Sequence, residues 1–331
     1  LDTGTHLVMG LGIAGLSYID PAVAADPALA SAVFFGAVIA GQAPDFDGFL
    51  RLKSNTLYIR HHRGITHSLP FLLLWTVLIT GIFSFLWGFA WGSAAIFHLG
   101  FWVLLSTCYH VFSDLFNTYG TQAARPFSSK WISWNIIHIF DPTIFTTHVI
   151  AIVLWAFGLA KPEVIFPILY GFIAIYYVWR TVLHWILERR LPEIDPDHER
   201  GDTYIAIPTV SLTHWHIVKT RRDGCFVLGH YDRTGLRFME TAKCAKHAAV
   251  EGSKADPTVQ SFLYLTNYAC AEVREIRAGY IVRWSDVRYR HRKQYPFVAI
   301  VMMDRKFKTI DSYVGWISDS QIEKKWSLLL S

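Results

Sequence analysis

Leu69 to Ala90 and Ser93 to Leu115 are two apolar runs of membrane-spanning length, parted only by Trp91 and Gly92. A bilayer core about 30 Å thick needs about 20 apolar residues per helix, with a lower limit of about 17. The pair therefore predicts an antiparallel helical hairpin in lipid. Four more runs extend the pattern. His6 to Ile19 is short for a span and ends at Asp20-Pro21, and Ala22 to Ala43, rich in Ala and Gly as helix contacts in lipid favour, ends at Pro44. Ile144 to Leu159 and Val164 to Leu187 complete the set. The expected fold is an α-helical polytopic bundle of about six spans followed by a small α+β or mostly β soluble domain.

Composition shifts where the spans end. Of 31 Lys and Arg, 8 precede Glu188 and 23 follow; of 26 Asp and Glu, 8 precede and 18 follow. The membrane part is thus near neutral and the tail is about +5. The expected domains are residues 1–190 in the membrane, a Pro- and Asp-rich linker at 191–203, and a soluble domain at 204–331. In that domain TYIAIPTVSL, WHIVKT, CFVLGHYDRTG, GYIVRWSDVRY and FVAIVMMD read as strands, and 239–249 and 257–267 as helices. A mildly basic domain beside a bilayer suits an anionic lipid surface. No basic helix or aromatic platform points to nucleic acid.

Six spans place both termini on one side. Connections at about 20–27, 88–92 and 161–163 hold only Lys161, whereas the opposite ones hold Arg51, Lys53, Arg60, Arg63, Arg125, Lys130, Arg189 and Arg190. The basic side is cytoplasmic, so the expectation is a multi-pass cell-membrane protein with both termini inside. No signal peptide is visible, and four Cys without a CxxC pair read as reduced and structural.

Under this topology nine ionisable residues share the cytoplasmic end: His6, Asp45, Asp47, His62, His67, His110, Asp114, His138 and Asp141. A charge at mid-membrane costs roughly 2.5–3.5 kcal/mol on insertion scales, so such groups mark function. Four segments supply metal-ligand chemistry: DTGTH (2–6), PDFD (44–47), HHRGITHS (61–68) and YHVFSDLFNTYG (109–120). His110 and Asp114 are four apart, hence on one helical face. Carboxylates crowded together repel and take up protons, which a divalent ion prevents. Imidazole with carboxylate suits Zn, with Mn or Fe as alternatives, and the surplus of carboxylates leaves room for one or two ions.

The expected metal ligands are His6, Asp45, His67, His110 and Asp114. Asp47 and His62 are placed to move a proton. Arg63, inside the cluster, suits an anionic substrate group, with Arg125 and Asn117 as further substrate contacts. Thr66, Ser68, His138 and Asp141 are expected to support the ligands or line the cavity. Bound metal lowers the pKa of water from about 15.7 to about 7, which suits hydrolysis. No GxSxG elbow or Walker loop is present.

DTGTH, PDFD, HRGITHS and HVFSD, followed by RPFS at 125–128, resemble the YdjM-like family of membrane-bound, inferred metal-dependent hydrolases. With FNTYGTQAARPFS and the polar tail, the pattern is similar to its Bacillus YfhP branch. The resemblance covers residues 1–190 and implies a metal site at His6, Asp45, Asp47, His62, Arg63, His67, His110 and Asp114. Arg125 departs from the apolar or aromatic residue many relatives carry there. Two classes stay open. One is a hydrolase cleaving a phosphoester or ester in a lipid or lipid-linked substrate. The other is a non-catalytic membrane regulator or scaffold with a structural metal and a protein partner on its tail.

Overall fold

The computed structural model describes residues 1–242, 244–289, 295–317 and 321–322. Contacts divide it into two units. The first comprises Leu1–Asp47, Arg63–Ile186 and Pro208–Leu212; the second comprises Gly48–His62, Leu187–Ile207 and Thr213–Ser331.

The first unit is helical. Helix α1 is Thr3–Leu16, α2 Pro21–Ala25, α3 Pro27–Ala40, α5 Leu69–Trp87, α6 Ala94–Asp114 and α7 Pro142–Ala156; α8, Pro162–Ile194, continues into the second unit. Aspartates fix several starts. Asp2 accepts from Gly4 and Thr5, Asp26 from Ala28 and Leu29, and Asp141 from Thr143 and Ile144, the last two followed by Pro at the first helical position.

About six spans were expected; among the described residues three helices, α5, α6 and α8, are long and apolar enough to cross a membrane. A fourth arises if α3 is counted with the 3-10 segment Ala43–Leu52, which bends from it by 48°. Two physical reasons account for the shortfall. Asp26-Pro27 splits the second apolar run into α2 and α3, because the Asp26 carboxylate caps a new helix there. And α1 and α7, at 14 and 15 residues, rise only about 21–23 Å at 1.5 Å per residue.

Small residues let α1, α3 and α6 close up. A Cβ on Gly41 would lie 3.1 Å from the Gly10 Cα and 3.3 Å from the Ser106 hydroxyl. Ser106 donates to the Ala37 carbonyl at 2.7 Å. This approach sets the end of α3 against the middle of α6.

The second unit holds two four-stranded sheets whose strands run in sequence order, β1–β4 and β5–β8. Strands β1 Thr203–Pro208, β2 Trp215–Thr220, β3 Phe226–Asp232 and β4 Gly235–Ala242 form the first; β5 Ala269–Ile276, β6 Gly279–Asp286, β7 Phe297–Asp304 and β8 Thr309–Trp316 form the second. Helices α9, Ala248–Ser253, and α10, Pro257–Leu265, lie between the sheets in sequence. The helix expected from Met239 is instead strand to Ala242, since the Asp232–Gly235 turn folds it back on β3. Strands β5 and β8 were not foreseen.

Helix α4, Asn55–His61, falls in the connection expected on the cytoplasmic side. It joins the second unit's core: Tyr58 and Ile59 are buried beside Val259, Phe262 and Val314. Two of the cysteines expected to be reduced, Cys244 and Cys270, form a disulfide. Their separation of 26 residues hides the pairing, which follows from the Ala245 N–H donating to the Ala271 carbonyl beside them.

Candidate metal centre

Four side chains from three parts of the first unit turn one atom each toward a common point. Asp45 comes from the bend after α3, His67 from the 3-10 turn Ile65–His67, and His110 and Asp114 from successive turns of α6. Their ligand atoms all lie within 4.8 Å of one another. His67 Nε2 is 3.5 Å from both Asp45 Oδ1 and Asp114 Oδ2. His110 Nε2 is 3.8 Å from Asp45 Oδ1 and 3.7 Å from Asp114 Oδ2. Donor atoms placed tetrahedrally about an ion at about 2.1 Å have edges of about 3.4 Å, so the group needs little contraction to hold one.

The chemistry of these atoms suits a cation. Asp45 Oδ1, His110 Nε2 and Asp114 Oδ2 are buried and have no hydrogen-bond partner among the described residues. Buried polar atoms are ordinarily paired. Here they face one another, two of them carboxylate oxygens, and a divalent cation would satisfy them together.

His67, His110 and Asp114 are also held from behind, as metal ligands commonly are. His110 Nδ1 lies 2.7 Å from the Gly41 carbonyl, so its proton sits there and Nε2 presents a lone pair. Thr66 Oγ1 donates to Asp47 Oδ2 at 2.8 Å, which leaves it to accept from His67 Nδ1 at 3.1 Å. Asp47 Oδ2 also accepts the Arg63 backbone N–H at 3.1 Å. Asp47 thus stands behind His67. Arg63 takes up a left-handed backbone conformation, φ 58°, in the tight link between Asp47 and His67.

Asp114 is buttressed through its other oxygen. Oδ1 accepts from Asn117 Nδ2 at 3.0 Å and lies 3.3 Å from both Arg63 Nη2 and His6 Nε2. The Leu1 amino group contacts it too. Asn117 Oδ1 accepts from Arg63 Nη1 and from the backbone of Tyr119 and Gly120, which fixes the orientation of its amide. His6 is fully buried and its ring stacks on His110 at 3.6 Å. It stands beside the four-atom group without being one of them.

The other sequence candidates make contacts of their own. Ser68 donates to the Ile65 carbonyl, closing the turn that carries His67. Arg125 lines a pocket of about 400 Å3 with Ile65, Ser68 and Phe71. His138 Nδ1 is 2.9 Å from the Phe140 carbonyl, a local turn contact. Asp141 caps α7 and accepts from the Tyr176 hydroxyl at 2.7 Å. His62 belongs to the second unit, where it stacks on Tyr58. The role of the Gly41 carbonyl went unforeseen, and a backbone atom leaves no residue-type signal.

Burial is uneven across the four. The Asp45 side chain is 17% exposed, the others 0–1%. Any approach from outside therefore comes over Asp45.

A family model described as the YdjM inner membrane protein matches residues 1–187. The chain belongs to the YdjM family. A second model, the YfhP C-terminal alpha/beta plait domain, matches residues 248–326. The chain is 38% identical over 332 aligned residues to the uncharacterized protein YfhP of Bacillus subtilis (strain 168), spanning 99% of each. No solved structure matches. As a YdjM-family inner membrane protein it places helices in a bilayer, and it carries a buried His/Asp group suited to a metal ion.

Proposed function

We propose that this protein is a membrane-bound metal-dependent hydrolase that cleaves a phosphoester or carboxylic ester in a lipid or lipid-linked substrate at the cytoplasmic face. The observation that carries the reading is the set of buried donor atoms on Asp45, His110 and Asp114, partnerless among the described residues, with His67 Nε2 at 3.5 Å from two of them. Zn fits this donor set best, with Mn or Fe next. When bound, such an ion supplies Lewis acidity and lowers the pKa of water.

The chain's own residues supply the rest. Gly41 and Thr66 hold His110 and His67 in the tautomer that leaves Nε2 open. Asn117 and Arg63 hold Asp114 by Oδ1. Asp45, the ligand open to outside, borders the substrate path. The bias of basic residues toward 51–63, 125–130 and 189–190 favours the cytoplasmic side for this end. The test is metal analysis of the purified protein together with a screen for phosphate or fatty-acid release from defined lipids. Stoichiometric metal with metal-dependent release is expected; metal-loaded protein that releases nothing from any ester overturns the hydrolase reading.

One observation favours the second class. Four protein donors within 4.8 Å of one another are enough to close a structural site, whereas catalytic zinc sites keep a position open. In that case the metal braces the bundle and the second unit binds a protein partner. Cobalt substitution separates the two: an absorption spectrum that changes on adding phosphate reports an open position, and an unresponsive one a closed site.

A further inference from the structure

The 3-10 segment Ala43–Leu52 brings every third residue onto one face. Phe46, Phe49 and Leu52 form one stripe and are 39%, 71% and 87% exposed. Asp47 and Leu50 belong to another: Asp47 is buried, and Leu50 packs against the core that holds Tyr58 and Ile59. The apolar stripe is thus turned outward and the carboxylate inward, the reverse of a helix lying in water.

Length says what covers that stripe. Helix α3, at 14 residues, rises about 21 Å, which is about 9 Å less than a bilayer core of about 30 Å. The ten residues of the 3-10 segment rise about 20 Å, and at a bend of 48° they add about 13 Å along the direction of α3. The two together reach about 34 Å, and together they are apolar enough for one span. Arg51 and Lys53 stand at the far end, where anionic headgroups would meet them.

A contact fixes the depth independently. The Phe46 ring meets the Trp75 ring edge-on at 5.9 Å. Helix α5, at 19 residues, rises about 28 Å and fills a bilayer core nearly from end to end. Trp75 follows its first residue, Leu69, by six, which is about 9 Å along that helix. Phe46 therefore lies level with the interior of a span and not with bulk water.

We infer that Ala43–Leu52 completes the membrane crossing that α3 begins, with Phe46, Phe49 and Leu52 set into lipid, so that the approach over Asp45 opens at the headgroup boundary. Asp45 is the residue next to Phe46 and the most open of the four candidate ligands. A soluble protein could cover Leu52 but could not reach a residue level with Trp75. The lipid contact stands without the proposed function. The inference rests on that reading only in taking this approach as the substrate's path, and the substrate is then a bilayer lipid presenting its headgroup linkage rather than a water-soluble ester.

The experiment puts the photoreactive amino acid p-benzoylphenylalanine in place of Phe46, Phe49 or Leu52 in the full chain, reconstituted in liposomes that contain phosphatidylglycerol, and maps adducts by mass spectrometry. Lipid adducts are expected at all three positions. At 49 and 52 they should match those at Val77 of α5 and stand well above those at Met239 of β4, residues that are 69% and 50% exposed. Adducts no stronger than at Met239 overturn the inference, as does cross-linking of 49 or 52 to a second protein chain in place of lipid. Adducts at 49 and 52 without any at 46 overturn the opening beside Asp45. Phe49→Ser with Leu52→Ser, on the exposed stripe, should keep the metal and lose hydrolysis of bilayer lipid, while hydrolysis of a water-soluble short-chain ester with the same headgroup persists. With the metal retained, loss on both substrates or on neither overturns the lipid path. Lipid adducts without hydrolysis of any ester leave the crossing standing and remove the hydrolase reading, whereas hydrolysis without adducts does the reverse.

Discussion

Asn117 donates its side-chain amide to Asp114 Oδ1 at 3.0 Å and, with Arg63 and the Leu1 amino group, holds that oxygen away from His67 and His110. With Oδ1 held, Oδ2 is left 3.5 Å from His67 Nε2 and 3.7 Å from His110 Nε2. Asn117→Leu should keep the fold and lower metal affinity about 10- to 100-fold, the usual effect of losing a group that orients a ligand. Competition with a chelator of known affinity measures it. Asp114→Ala should lose the metal altogether, and an Asn117→Leu protein with unchanged affinity would show that the amide orients nothing.

The Asp47–Thr66–His67 chain makes a second, separable prediction. Thr66→Val keeps the shape but removes the acceptor for His67 Nδ1, so metal affinity should drop about tenfold. Asp47→Asn keeps an oxygen for the Thr66 hydroxyl and should cost less. The same variant tests whether Asp47 moves a proton. A general base typically contributes 10²–10⁴-fold, so metal retained with turnover lost by about that factor assigns the role; turnover that merely follows metal content removes it.

In the second unit, Lys219 is buried at 1% exposure with Nζ 2.7 Å from Asp195 Oδ2 and 3.0 Å from Asp202 Oδ2. Burial pulls the Lys219 pKa down, but the two carboxylates outweigh it and hold the ammonium above its ordinary value. Burial likewise pushes both carboxyls up. The Lys219 and Tyr204 hydrogen bonds to Asp195, and the Glu199 backbone and Lys219 bonds to Asp202, outweigh it and hold both below the usual range. The carboxylates' contribution is present above their unfolded pKa of about 3.9 and fades as pH falls through the lower folded values. The lysine's is present below about 10.4 and fades as pH rises through its higher folded value. The unit's thermal midpoint should therefore be level from about pH 5 to pH 9 and fall on both sides. Lys219→Met leaves two buried carboxylates unpaired and should cost about 3–5 kcal/mol at neutral pH. A midpoint that does not move would mean the triad is solvated.

How much of this was legible depends on whether the signal was local. The gathering of Asp45, His67, His110 and Asp114 was, because imidazole and carboxylate in four segments at the ends of apolar runs have few other uses, and His110 and Asp114 announce a shared helical face. The expected His6 stands one step away, against Asp114 Oδ1. What sequence could not show is pairing between distant segments. Nothing in NTLYIRH says that Tyr58 and Ile59 pack on Phe262 rather than facing water. Nothing in a spacing of 26 joins Cys244 to Cys270. Hydropathy likewise measures how apolar a run is and not where an aspartate will start a new helix, which is how Asp26 divided one expected span.

Arg63 carries the last prediction, because residue type and geometry point different ways. Its type suggests a clamp for an anionic substrate. Its geometry is turned inward: it is 4% exposed, Nη1 donates to Asn117 Oδ1 at 3.1 Å, and Nη2 donates to the Leu1 carbonyl at 2.9 Å and lies 3.3 Å from Asp114 Oδ1. A guanidinium so placed offsets the charge of Asp114 when no cation does. Removing one partner of a buried pair costs about 3–5 kcal/mol. Arg63→Ala should therefore destabilise the metal-stripped protein by about that amount and the metal-loaded protein by much less, since the bound cation then faces the same carboxylate. The readout is the difference in thermal midpoint between chelated and metal-loaded protein, which should widen in the variant. Arg63→Lys, which keeps the charge but cannot reach both Asn117 and Asp114, should fall between. If the guanidinium instead held the substrate, the midpoint difference would match wild type and the loss would appear in kcat/KM alone.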